Sequence, residues 1–582
     1  TTGTSNTAVG ANALDANTTA SQNTAIGHHA LGANTTGDIN VAIGDYAMSA
    51  ATTADRNVAV GSNAMASLTA DGDSHNVAVG FRAAQNSTSA IQFTALGSDT
   101  LTAQTTANYN VAIGYLSGSA LTTGGSNTSV GRASLSQNVT GGNNVVMGYN
   151  AYRLGNDGSS NVAIGAEALE DNTASNNTAV GYQSLKENTT GTQNSAFGRL
   201  ALTSLTTGDY NTALGALAAY QQTTANSNVA IGYNALGVNS TGSQNVAIGA
   251  YTLDANTTAG SNTAVGYNAM SATSTGEQNA AFGRASMQDN TTGQYNTAVG
   301  YNALLTNTTA SHNTALGRAA LTLNTTGSYN VAVGSGALQA NTTASNNIAV
   351  GSQALEANTT GDSNAALGHQ ALKANTTASN NTAIGYQALL SNTTGQYNTA
   401  VGKEALEANT TYNYNTALGY EALKNVTASD NTAVGGRALQ SSTTGGSNTA
   451  VGRDALRSHT TGNQNVAVGA YAGDAITTTN AATLVGYNAG SSCTTHNLNA
   501  FGANACLNVT TGEQNTGIGD NALQACTTNS YNVAVGTNAL YSCTSDSNTA
   551  VGRYANMLLT TGSGNTSIGQ GAGYHTTTGS SN

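Results

Sequence analysis

Apolar residues along this chain fall neither at every second position nor at helical spacing. They come as adjacent pairs separated by short polar stretches: Ala8 and Val9, Ala13 and Leu14, Ala25 and Ile26, Ala112 and Ile113, Ala303 and Leu304. The first pair of each set belongs to a segment of the type "NTAVG", the second to one of the type "ALxANTT". No stretch sustains a 3.6-residue period, and Gly every few residues undermines a helix. The two segments are therefore predicted as two short strands, with turns at the Gly after the first and at the T-G-x-x or T-A-S-x run after the second.

The pattern repeats throughout. "NTAVGYNAL" starts at Asn262 and again at Asn296, and looser versions open at Asn23, Asn228 and Asn415. Taking the Gly of N-x-A-[VIL]-G as marker gives 34 copies, from Gly10 to Gly569; of the 33 intervals 28 are 17 residues, four are 16 and one, Gly61 to Gly80, is 19. Seventeen residues are too few for a helical hairpin and suit one coil of a parallel β-solenoid, each coil pairing with the next. The whole of 1–582 reads as one continuous array of about 34 coils. It starts and stops inside a repeat, which suggests a section of a longer repetitive fibre chain. At ~4.8 Å per coil, the array would extend on the order of 160 Å.

Departures from the consensus say where side chains point. The Asn opening each copy (Asn6, Asn23, Asn40, Asn57, Asn262, Asn279, Asn296) gives way to Phe93, Ala482 and Leu498. A column that accepts Phe and Leu faces inward. Buried amides need partners, so these Asn are expected to form a ladder bonded from coil to coil. The Asn of "ANTT" (Asn17, Asn34, Asn188, Asn256, Asn290, Asn375) is replaced by Leu68, Leu121, Leu205, Ile476, Val509 and Leu559, and by Cys493, Cys526 and Cys543. This column too is expected to be at least partly buried, with Cys526 and Cys543 one coil apart and a disulfide sterically feasible. Adjacent strand residues face opposite sides. If Ala and the following aliphatic both avoid water, one face must be covered by something other than the coil interior, most simply another chain.

Composition narrows the function. Charged residues are 7%, net charge is −12, and there are 69 Gly, no Pro and no Trp. No apolar run approaches the ~18–20 residues that span a bilayer, so membrane insertion is not expected. The 15 Lys and Arg form no basic cluster, which argues against nucleic acid.

At this point the residues carry a resemblance. "NVAIGxxAL" resembles the head repeats of YadA-type trimeric autotransporter adhesins, and "NTAVGYNALxxNTTG" resembles repeats of phage and bacterial tail-fibre-like proteins. The resemblance runs over essentially the whole chain. It implies a left-handed parallel β-roll in a homotrimeric rod, at a cell surface or on a virion appendage, with the chain itself as partner; it supplies no ligand, and a carbohydrate or cell-surface receptor is the class of target expected beside it. The repeat here is longer than the typical adhesin head repeat, and neither a heptad stalk nor a membrane-anchor barrel is present.

Candidate chemistry is sparse. No catalytic constellation, cofactor motif or metal site is expected; Cys493-x-x-His496 is the only metal-like spacing and lacks a second pair. The acidic residues form no paired columns of the kind a glycosidase needs. Two alternatives stand beside the adhesive fibre. Asn17, Asn34, Asn188, Asn256, Asn290 and Asn375 are formal N-x-[ST] acceptors, which would make the chain a glycan-coated structural filament. Thr-Thr pairs one coil apart would form the flat ladder of an ice-binding solenoid. Tyr recurs just after the Gly at Tyr115, Tyr182, Tyr233, Tyr267 and Tyr301; these are read as exposed, packing on turns or stacking on sugars.

Overall fold

A computed structural model describes residues 2–582. They form two compact units, one ending at Gln294 and one spanning Tyr295–Asn582. Both are built alike. Each copy of the repeat contributes one three-residue strand, such as Thr24–Ile26 or Thr382–Ile384. Within each unit successive strands pair in parallel, in register, with the equivalent residues of the next copy: Thr24 with Val41, Ala25 with Ala42, Ile26 with Ile43; Ala365 with Thr382, Ala366 with Ala383, Leu367 with Ile384. The class is all-β, a parallel β-solenoid, with no helix among the described residues.

The expected second strand is absent. "ALxANTT" forms successive turns instead. The residues two and four positions after the Gly have positive φ, as in Asn12 (55°) and Leu14 (52°), or Tyr46 (55°) and Met48 (48°). Placing a non-Gly residue there costs of order 1–3 kcal/mol. The return is in hydrogen bonds and burial. His29 N–H donates back to Ala11 O at 3.0 Å, whereas Leu31 N–H donates forward to Ala47 O at 3.0 Å. The segment thus bonds to both neighbouring coils without being a strand. It also turns Ala and Leu into the same interior: Ala30 and Leu31 are both fully buried, as are Ala303 and Leu304. The alternation argument therefore fails for this pair, which its own coil covers.

The marker Gly has a strict conformational cause. Gly368 sits at φ 141°, and a Cβ there would lie 2.3 Å from Gly385 O. Stacked coils bring each Gly directly over the next, leaving no space for any side chain.

Where the interior loses volume in one column, another supplies it. Gly473 and Gly490 stand where other coils carry Leu, and both face Leu484, which replaces the usual strand Ala; a Cβ on either Gly would approach a Leu484 methyl to 2.7 and 2.6 Å. The 19-residue coil adds a small parallel pairing of Ala54–Asp55 with Gly72–Asp73, fastened by an Arg56–Asp73 ion pair and by Thr53 Oγ1 donating to Asp71 at 2.6 Å.

Candidate functional site

Six of the seven named opening Asn are buried (Asn23, Asn40, Asn57, Asn262, Asn279 and Asn296), and Asn6, in the first coil, is half-buried. The bonding differs from a simple amide stack. Most of these side chains clip the backbone of the next coil at two points; Asn57 is an exception, its Nδ2 donating to Asp55 O at 2.9 Å. Asn23 Oδ1 accepts from Asn40 N–H at 2.8 Å, and Asn23 Nδ2 donates to Gly37 O at 2.8 Å. Asn296 does the same with Asn313 N–H (2.9 Å) and Ala310 O (2.9 Å). Direct amide-to-amide contacts such as Asn57 Nδ2 to Asn40 Oδ1, 3.1 Å, are secondary. The backbone offers its N–H and C=O at fixed positions in every coil, so this bonding tolerates Phe93 or Ala482 in the next coil: Phe93 N–H still donates to Asn76 Oδ1 at 3.2 Å.

The "ANTT" column holds the amide stack itself. From Asn324 to Asn409, each Nδ2 donates to the preceding Oδ1, as in Asn358 to Asn341 (3.0 Å) and Asn375 to Asn358 (2.8 Å). Each also donates to the carbonyl three residues on, which the opening Asn shares: Ala344 O accepts from Asn330 at 2.8 Å and from Asn341 at 3.0 Å. The run stops where Val426 takes the column, leaving Asn409 Oδ1 buried and unpaired.

This geometry bears on glycosylation. Asn34, Asn188, Asn256, Asn290 and Asn375 are fully buried, and the nitrogen a glycan would occupy donates to Gly37, Gly191, Ala259, Gly293 and Ala378 respectively. A sugar there would displace the bond and the neighbouring coil. Only Asn17, in the first coil, is half-buried. The Thr ladder is likewise engaged: Thr359 Oγ1 donates to Thr376 O at 3.0 Å and Thr376 Oγ1 to Thr393 O at 3.2 Å. It is not a row of free hydroxyls.

The outer side of the sheet is different. The strand's central Ala points inward, and the residues flanking it point out. Leu367, Ile384 and Leu418 are 47%, 39% and 46% exposed. The column just before the Gly is Val, Ile, Leu, Met or Phe in every one of the 34 copies, and neither outward column carries a charge. Each unit thus displays an uncovered apolar stripe with the coil repeat.

Tyr115, Tyr182, Tyr233, Tyr267 and Tyr301 are all about half exposed, and the position before the opening Asn carries face-to-face stacks: Tyr295 on His312 at 4.9 Å, His312 on Tyr329 at 4.8 Å, Tyr397 on Tyr414 at 5.2 Å. The four cysteines are buried and free. Cys493 Sγ points to Thr495 O, while His496 Nδ1 accepts from Asn480 N–H at 3.0 Å, so this pair converges on nothing. No group of three or more metal-ligating side chains exists among the described residues. Charges pair along the stack: Lys424 reaches Glu404 at 2.6 Å and Glu407 and Glu421 at 3.3 Å, and Arg437, Arg453 and Arg457 surround the buried Asp454.

Two features escape the sequence reading. Asp38, Asp209 and Asp362, two residues before an opening Asn, accept backbone N–H groups of the preceding coil at 2.6 Å; the signal is a column mostly of Asp, Asn, Ser or Gly. Tyr152, in the Leu column, is fully buried, with Asn161 Nδ2 donating to its hydroxyl at 3.1 Å and burial pushing its pKa up to about 12. Gly155 and Gly158 give it room.

The fold and these columns define a β-solenoid repeat protein held by side-chain-to-backbone clips. No protein-family model matches the chain, and no curated protein matches it.

Proposed function

We propose that this chain is the repetitive body of an extracellular structural fibre, in which three copies associate as left-handed β-rolls and serve attachment. The observation that carries this reading is the uncharged apolar stripe on the outer face of each unit's sheet. Monomeric proteins rarely leave a contiguous apolar patch of this kind uncovered. Full burial of a Val or Leu side chain is worth ~1.5–3 kcal/mol, so covering the exposed part of one such residue contributes roughly 1 kcal/mol, and the gain recurs in every coil. A second copy is the fitting occupant. It carries the same column at the same spacing, so one register satisfies many coils at once, and closed symmetric assemblies are the usual outcome. Attachment then follows from multivalency, with many weak contacts along a repetitive surface.

The test is the solution mass of the folded chain by light scattering. Three times 57.8 kDa, about 173 kDa, is expected. Leu367→Glu with Ile384→Glu and Leu418→Glu should lower the apparent mass while leaving the circular dichroism spectrum intact. A monodisperse 57.8 kDa species for the unaltered chain overturns the trimer and with it this role for the stripe.

A further inference from the structure

In the N-terminal unit, the coils opening at Gly249, Gly266 and Gly283 enclose an open cleft of about 500 Å³. The position after the Gly holds Tyr233 and Tyr267 in two neighbouring coils and Ala250 in the coil between them, where the next position holds Tyr251. Tyr251 and Tyr267 both line the cleft. Tyr251 meets both neighbours edge-to-face, with centroids 5.3 Å from Tyr233 and 6.1 Å from Tyr267. None of the three is stacked flat on another, and Tyr251 and Tyr267 remain 37% and 49% exposed.

Polar groups converge on the same space. Ser271 and Ala272 are small and form the floor, with Asp254 one coil before and Gln288 and Asp289 one coil after. Two coil spacings separate those walls, about 10 Å. Asp254 Oδ1 is buried without a partner, a state that costs of order 1–3 kcal/mol. Burial also holds the carboxyl groups of Asp254 and Asp289 above the usual carboxylate range. The cleft is lined by no Lys or Arg.

We propose that this cleft is a binding site for a neutral oligosaccharide of hexopyranose or N-acetylhexosamine units. Exposed Tyr rings offer flat apolar faces to the C–H side of a sugar ring, and their bodies combine apolar area with a polar tip. The carboxylates of Asp254 and Asp289 and the amides of Asn268 and Gln288 accept from and donate to its hydroxyls. A concave site with a few convergent polar groups is the usual form of a small-ligand site. Arg284 lies over the Tyr267 ring, 6.0 Å from its centroid, but outside the cleft lining; the two carboxylates within the lining repel acidic sugars, which selects the neutral class. This site gives the attachment role a target, yet it lies within one unit and does not depend on self-association.

The test uses the full chain titrated with tetrasaccharides of glucose, galactose, mannose and N-acetylglucosamine, read by saturation-transfer NMR and calorimetry. At least one should bind with a millimolar or tighter Kd, and Tyr267→Ala and Asp289→Asn should each weaken it tenfold or more. Ala272→Tyr puts a ring into the cleft lining itself and removes no polar group; it should abolish binding while the melting curve stays that of the unaltered chain. Absence of binding by all four sugars overturns the proposal, as does undiminished binding by Ala272→Tyr. A monomeric mass by light scattering, in contrast, would leave this result standing.

Discussion

Replacing Asn381 by Asp changes one atom, and the consequences follow from three distances. Asn381 Oδ1 accepts from Asn398 N–H at 2.9 Å, its Nδ2 donates to Gly395 O at 2.8 Å, and its own N–H donates to Asn364 Oδ1 at 3.0 Å. In Asn381→Asp the first and third bonds survive. The second becomes an oxygen facing an oxygen, in a fully buried position. Ionised, the carboxylate has lost its hydration and gained a repulsive neighbour; protonated, its O–H donates to Gly395 O and restores the clip. The folded-state pKa is therefore raised above the unfolded value of about 3.9. A rise of about 2–3 units, modest for a buried carboxyl, costs roughly 3–4 kcal/mol at pH 7. The sign is definite: the variant matches the unaltered chain below about pH 4 and loses stability as pH rises through the folded pKa. In a repeat array, stability is a sum over coils and their nearest-neighbour contacts, so the loss should be local. Hydrogen–deuterium exchange of peptides between Ala365 and Gly419 should quicken about 10²–10³-fold at pH 7 and recover at pH 4, with distant coils unaffected. Unchanged protection at pH 7, or a loss that acid does not repair, would refute the clip as the element that locks one coil to the next.

Three further outcomes are expected. His459 occupies the "ANTT" column, fully buried, with burial pushing its pKa from 6.5 down to about 4 and its Nδ1 unpaired; neutral His is favoured in the fold, so coils around it should lose up to about 3 kcal/mol as pH falls from 6.5 toward 4, and His459→Asn should flatten that dependence in exchange measurements. Gly368→Ala places a Cβ 2.3 Å from Gly385 O at φ 141° and should destabilise its coil by more than 3 kcal/mol, seen as new protease cleavage there; wild-type resistance would contradict the stacked-Gly account. The four buried thiols, with Cys493 pushed up to about 11 by burial, should react with a thiol reagent only after denaturation, whereas rapid native labelling would place them at the surface.

The repeat, the class of fold and the inward direction of both Asn columns were legible because substitutions expose burial: Phe93, Leu498 and Val509 cannot share a solvent-facing column with Asn. The missing strand was not legible. Leu is an ordinary strand residue, and nothing in "NAL" or "QAL" announces that Leu236 and Leu389 adopt φ 52°; tertiary bonding to both neighbouring coils overrides the local preference. The partner of each Asn was equally hidden, since a column of amides in sequence does not say whether they bond to one another or to the next backbone. The cleft at Tyr251 is lined by residues of three coils, a grouping that acquires meaning only when those coils are stacked.

Leu484 gives the array a property that its regular stretches lack. Between Gly351 and Gly368, both ends of a seventeen-residue excision present the same groups, so the cut would re-close on identical clips and the chain would simply be shorter. Between Gly473 and Gly490 the same cut removes Leu484 along with one of the two glycines it fills against, and the surviving glycine would line an empty pocket. Length is therefore freely adjustable in some segments and frozen in others. The frozen segments are those in which one coil stores part of its neighbour's interior.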